Sequence, residues 1–129
     1  MNLRLLAVLP FLLFAFTASS CGQTRKDIDP VEAKKMIDKG TVVLVDVRTP
    51  DEWNAGHLKN AKHIDINGQT FDQQLNKLDK SKTYVVYCAV GGRSSRAASI
   101  MAEKGFKLVY NMVGGYNKWS SMGYPTTTK

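Results

Sequence analysis

With 129 residues the chain has room for one domain and little more. Its formal net charge of +7 comes from Lys and Arg residues that are scattered and form no block of five or six. That excess suits small anions or an anionic membrane surface and gives no ground for a nucleic-acid site.

The chain opens on a leader rather than on a fold. Asn2 and Arg4 precede an almost unbroken apolar run from Leu5 to Phe16, too short to span a bilayer and of the length of a signal-peptide core. Ala18-Ser19-Ser20-Cys21-Gly22 then resembles a bacterial lipobox, with Ala18 where leucine is usual. The resemblance implies a signal peptide at 1–20, cleavage before Cys21 and lipidation of its sulfur. An ordinary cleaved signal peptide with a stray cysteine is the alternative. Gly22 is no acidic retention signal, so the anchor is expected to face the periplasm, in the outer membrane where two membranes exist. With Arg4 set aside, 17 basic residues face 11 acidic ones, a mature net charge of +6. A lipidated Cys21 would leave Cys88 as the one free thiol in an oxidising compartment, with no disulfide to staple the fold.

The polar stretch through Asp27 reads as a tether covering 21–27, ahead of a domain over 28–125. Asp29-Pro30 predicts a capped helix with Val31, Ala33, Met36 and Ile37 on its apolar face and Gly40 as its stop. The run Val42 to Val47 is β-branched and apolar on both faces, as in a buried parallel strand. Thr49-Pro50-Asp51-Glu52 is a capping box opening a short helix that ends at Gly56. A brief strand is expected within Ala61–Ile66, followed by a helix capped by Thr70 with Phe71, Leu75 and Leu78 on one stripe. Thr83–Tyr87 is the second clear strand and runs directly into Cys88. A helix over Ser94–Lys104, a strand over Lys107–Asn111, a turn at Gly114-Gly115 and a small helix carrying Trp119 complete the domain. Strands alternating with helices predict an α/β fold, with a mostly parallel sheet covered on both faces.

In such a sheet, ligands bind beyond the carboxyl ends of the strands, and Cys88 stands at one. The loop Cys88-Ala89-Val90-Gly91-Gly92-Arg93-Ser94 can turn its backbone N–H groups toward the thiol, with two glycines for the tight path and a helix N-terminus behind. Such donors favour a thiolate and hold an anion above it, and Arg93 adds fixed positive charge. The bland readings are a buried, inert cysteine and an arginine that only solvates the helix start.

Four ordered motifs make the chain similar to the rhodanese-like domains over about Asp27 to Tyr124. Asp46-Val47-Arg48 resembles the family's D-V-R. Glu52-Trp53 with Gly56-His57-Leu58 resembles E-[FWY]-x-x-G-H-[IL]. The Cys88 loop resembles C-x-x-G-x-R-S, and Gly114-Gly115-Tyr116-Asn117-Lys118-Trp119 resembles G-G-x-x-x-W. The resemblance implies a three-layer fold, Cys88 as the catalytic cysteine and Ala89 to Ser94 as the substrate-binding loop. It implies transfer of sulfur from a thiosulfate-like anion to a thiol or cyanide through a Cys88 persulfide, with no metal or organic cofactor. Asp46, Arg48, Glu52 and His57 are expected as framework, with Arg48 paired to Glu52 and Asp46 taking hydrogen bonds from loop backbone. His57 and His63 have no cysteine or carboxylate at metal-ligand spacing, and Trp53 and Trp119 read as core.

Three other readings compete. Cysteine phosphatases also cradle an anion over a thiolate, but their C-x5-R spacing would place arginine at position 94, where Ser94 stands. A thiol redox protein would need a second cysteine in C-x-x-C. A persulfide carrier fed by a protein partner keeps the same loop, and the sequence leaves it open. A monomer is the default expectation.

Overall fold

The computed structural model describes residues 24–129, so the leader, Cys21 and the first residues of the tether lie outside it. The order of elements is β1 (Arg25–Ile28), α1 (Pro30–Asp38), β2 (Val43–Asp46), α2 (Pro50–Ala55), β3 (Lys62–His63), α3 (Phe71–Asn76), β4 (Thr83–Tyr87), α4 (Gly92–Glu103), β5 (Leu108–Met112) and α5 (Gly115–Ser121). The five strands form one sheet in the order β1-β5-β4-β2-β3. Every pairing is parallel, which requires crossovers between neighbours and explains the strict alternation with helices.

The two apolar runs sit at the centre, as their sequences require. Val45, Tyr84, Val86 and Cys88 turn one face toward Phe71 and Leu75 of α3 and Ala97, Ala98 and Met101 of α4. Leu44, Val85, Tyr87 and Met112 turn the other toward Ala33 of α1 and Trp119 of α5. The result is three layers. Burial of each large apolar side chain contributes about 1.5–3 kcal/mol, so β2 and β4 anchor the rest. Their register pairs Asp46 with Tyr87, which brings the ends of both strands and their following loops to one edge.

Local signals are largely realised. The Asp29 carboxylate accepts from the Glu32 N–H at 2.8 Å, and both halves of the capping box between Thr49 and Glu52 are present. Four expectations need correction. Arg25–Asp27 is not tether but part of β1, an edge strand laid parallel to β5. Thr70 does not cap α3; its backbone is outside the capping region and its hydroxyl accepts from Gln74 instead. Val31 lies 41% exposed rather than on the buried face of α1, where Pro30 and Ala33 make the contact. The domain also continues past 125, because His57 and Thr127 exchange two backbone hydrogen bonds of 2.8 Å.

Candidate active site

Tyr87 ends β4 and Gly92 starts α4, so Cys88 to Gly91 must reverse from strand to helix within four residues. The structure shows what holds that turn. The carbonyls of Cys88, Ala89 and Val90 accept hydrogen bonds from the backbone N–H groups of Tyr116 (2.8 Å), Asn117 (3.0 Å) and Gly114 (3.2 Å). Because a peptide's C=O and N–H point in opposite directions, tying these carbonyls outward aims the following N–H groups inward. The Gly91 N–H accordingly donates to Cys88 Sγ at 3.0 Å. Gly91 takes this path at φ +116°, in the region that glycine favours.

Cys88 is wholly buried. Burial pushes its thiol up, but the Ser94 hydroxyl and the backbone N–H groups of Ser94, Gly91 and Val90 outweigh burial, and the net shift is downward. Ser94 Oγ lies 3.3 Å from Sγ. Sulfur held this way favours the nucleophilic thiolate, and the same inward N–H groups suit an anion placed above it.

Helix α4 begins two residues earlier than the sequence suggested, which places Arg93 and Ser94 in its first turn. Arg93 does not stand free. Its guanidinium forms a two-pronged pair with Glu52 of α2, both contacts at 2.8 Å. The Arg93 guanidinium holds the Glu52 carboxyl at about 2; burial opposes this, and the Thr49 N–H and hydroxyl add to the lowering. A carboxyl lowered in the folded state contributes its full stability above the ordinary value of 4.5 and loses it progressively as pH falls from there to about 2, while the pair itself stays ionised across neutral and mildly acid conditions. Arg93 is in turn held more basic, first by Glu52, against burial, and also by the Cys88 sulfur. Arg93 therefore adjoins the thiol while its position is set from α2.

The expected Arg48–Glu52 pair is thus absent. Arg48 instead makes three contacts of 2.7–3.0 Å with the carboxylate of Asp46 and donates to the Gly56 carbonyl at 2.6 Å. Both side chains are almost fully buried, where Arg48 would be costly without its partner. Asp46 also accepts from the Arg48 N–H, as expected for a carboxylate organising loop backbone. His57 lies away from the sulfur loop in its contacts. Its ring stacks on Trp53 with centroids 3.4 Å apart, and its nitrogens face the carbonyls of Trp53 and Lys129. His63 stacks near the same indole, 4.9 Å between centroids, so Trp53 is a half-buried platform for two imidazoles rather than core. Trp119 is core, at 3% exposure.

From the sequence, Gly114-Gly115 reads as a turn only. In the structure this turn supports the sulfur loop, and a Cβ at Gly115 would meet the Cys88 and Ala89 carbonyl oxygens at 2.4 and 2.6 Å. Asn111 and Asp27, neither singled out in the sequence, adjoin Ser94 through hydrogen bonds of 2.6 and 3.1 Å in series.

The family described as Rhodanese-like domain matches residues 29–122. The chain belongs to the rhodanese-like family. This rhodanese-like chain is 34% identical over 102 residues to the thiosulfate sulfurtransferase GlpE of Coxiella burnetii, spanning 79% of this chain and 92% of that protein. It is 37% identical over 100 residues to a tRNA uridine(34) hydroxylase of Cytophaga hutchinsonii, covering 75% of this chain but only 32% of the other. Among solved structures it resembles a rhodanese-related protein of Thermoplasma volcanium, with a TM-score of 0.72 and 28% identity over 81% of this chain and 99% of that one.

Gly115→Ala, which combines a left-handed φ of +56° with a backbone clash, should destabilise by about 2–4 kcal/mol in urea unfolding and slow Cys88 alkylation at neutral pH. Gly123→Ala, at φ +73° with open space, should cost about 1 kcal/mol and leave the alkylation rate unchanged.

Proposed function

We propose that the protein is a sulfurtransferase that moves sulfane sulfur from thiosulfate or a similar anion to a thiol or cyanide through a Cys88 persulfide. The observation that carries this reading is the sulfur of Cys88 lying under inward-facing N–H groups, with Gly91 N–H at 3.0 Å and Arg93 alongside. The Cys88 thiolate attacks the outer sulfur of thiosulfate; the new S–S bond forms as the bond to the sulfonate sulfur breaks, and sulfite leaves with its electron pair. The outer sulfur keeps one negative charge. The loop donors stabilise that charge between steps. Cyanide or an acceptor thiolate then attacks the outer sulfur, forming thiocyanate or a new persulfide and returning Cys88 as thiolate.

The spacing of the loop favours sulfur over phosphoryl chemistry. Arg93 follows Cys88 by five positions and is clamped by Glu52, so the ring of donors is one residue shorter than C-x5-R. A partner-fed carrier uses the same steps with a protein persulfide as donor. Val90 within the loop, at 66% exposure, and Val113 beside it, at 46%, favour that second reading, because they offer a docking protein apolar contact next to the cysteine.

We also propose that the protein is exported and held in the bacterial envelope by lipid on Cys21, a reading supported by the apolar leader and the small residues before the cysteine. In cells fed an alkyne fatty acid, the full chain should take up label and Cys21→Ser should not; equal labelling of both would refute the anchor.

The test of sulfur transfer is intact mass and sulfite release after mixing the full chain with thiosulfate. Wild type should gain one sulfur atom and turn over when cyanide or a thiol is added, and Cys88→Ser should do neither. Persulfide formed only from a protein persulfide would select the carrier. Failure with every sulfur donor would refute both.

A further inference from the structure

Ser94 has one hydroxyl proton and three neighbours within reach of it. Its Oγ lies 2.6 Å from Asn111 Oδ1, 3.2 Å from the Gly91 carbonyl and 3.3 Å from Cys88 Sγ. The first two can only accept. The orientation of the Asn111 amide is fixed from its other end, where Nδ2 donates to Asp27 Oδ1 at 3.1 Å. A carboxylate only accepts, so the NH2 faces β1 and the oxygen faces Ser94. Strand register makes this arrangement structural, because Asp27 and Asn111 are direct partners across the β1–β5 pairing.

The shortest contact therefore takes the hydroxyl proton. While Ser94 donates to Asn111, it turns a lone pair toward Sγ and can accept the S–H of a thiol but give nothing to a thiolate. For Ser94 to donate to the ionised Cys88, the hydroxyl has to rotate to the sulfur. Asn111 is a buried residue, 3% exposed, and its Oδ1 then loses its donor.

We propose that Asn111, aimed by Asp27, is a positioning residue that directs the Ser94 hydroxyl proton away from Cys88 in the thiol and releases it to the sulfur in the thiolate. Once the persulfide forms, Sγ carries no proton and the charge moves to the outer sulfur, so Ser94 returns to Asn111 and the loop N–H groups hold the anion. The pair Asn111–Asp27 thus opposes ionisation of the empty thiol. The charged groups around this chain are Asp27 and Arg25 on β1, paired at 3.2 Å, Arg93 on α4 and Glu52 on α2. Arg25 further donates to Ser95, which fixes β1 against α4 beside the reporting serine.

This inference rests on Cys88 as the reacting nucleophile, and its test needs no sulfur donor. The pH dependence of Cys88 alkylation by iodoacetamide is followed in the full chain by mass spectrometry of the Cys88 peptide, so that Cys21 does not interfere. Asn111→Leu removes the competing acceptor and should lower the midpoint by about one pH unit, the equivalent of one hydrogen bond to a charged sulfur. Asn111→Asp supplies a stronger acceptor and should raise it. Asn111→Leu should leave the midpoint unmoved in a Ser94→Ala background, whereas a merely structural effect would persist there; the charge of Asn111→Asp raises the midpoint with or without Ser94, and only the excess seen with Ser94 present reports the serine. Asp27→Ala, at an exposed position on the edge strand, should lower the midpoint more with Ser94 present than in a Ser94→Ala background, where only the lost charge acts, and carries the test if the Asn111 variants do not fold. An unchanged or raised midpoint in Asn111→Leu or Asp27→Ala, or an equal shift without Ser94, overturns the proposal. Failure of the wild-type chain to take up sulfur from any donor, with these shifts intact, would overturn the proposed function and leave the positioning role standing.

Discussion

Three backbone hydrogen bonds, from Gly114, Tyr116 and Asn117 to the carbonyls of the Cys88 loop, are the constraint on which the site depends. A loop that reverses from a buried strand into a helix has unsatisfied carbonyls and amides together, and only one set can face the sulfur. Binding the carbonyls to Gly114 and the first turn of α5 decides which. Removing one side chain from the loop would leave that decision intact; lifting the turn would not.

The other buried polar groups serve the same geometry from farther out. Arg48 is held by Asp46 and stacks over the ring of Tyr116 at 4.2 Å, the residue whose N–H carries the Cys88 carbonyl. Glu52 receives the capping-box contacts of α2 and also clamps Arg93, so a helix-capping group sets the position of the cation beside the thiol. Trp53 braces His57 and His63, and His63 donates to the Arg48 carbonyl at 2.7 Å. Among the described residues no group of three metal-ligating side chains comes together, and both histidines are engaged in this bracing.

The parts legible from sequence were those set by local chemistry. Val42–Val47 and Thr83–Tyr87 are apolar on both faces, which only a central strand tolerates, and the Asp29 and Thr49 caps depend on residues three apart. The Cys88 loop was readable because its glycines, arginine and serine are consecutive. What escaped was long-range. Arg25–Ile28 is charged and half-exposed because it is an edge strand, so it carries no apolar alternation to betray it. Whether Glu52 pairs with Arg48 or with Arg93, 41 positions away, depends on how the β2 and β4 ends lie side by side. Asn111 and Asp27 come together through a parallel pairing between the first and last strands, which no local pattern encodes.

A crystal structure of the protein after treatment with thiosulfate tests this geometry most directly. The expected result is one added sulfur on Cys88 Sγ, lying within hydrogen-bond distance of the N–H groups between Val90 and Ser94, with the three loop carbonyls still bound to Gly114 and the first turn of α5. An added sulfur turned away from those N–H groups, or a loop whose carbonyls had left the turn to admit it, would contradict the claim that this turn builds the sulfur site.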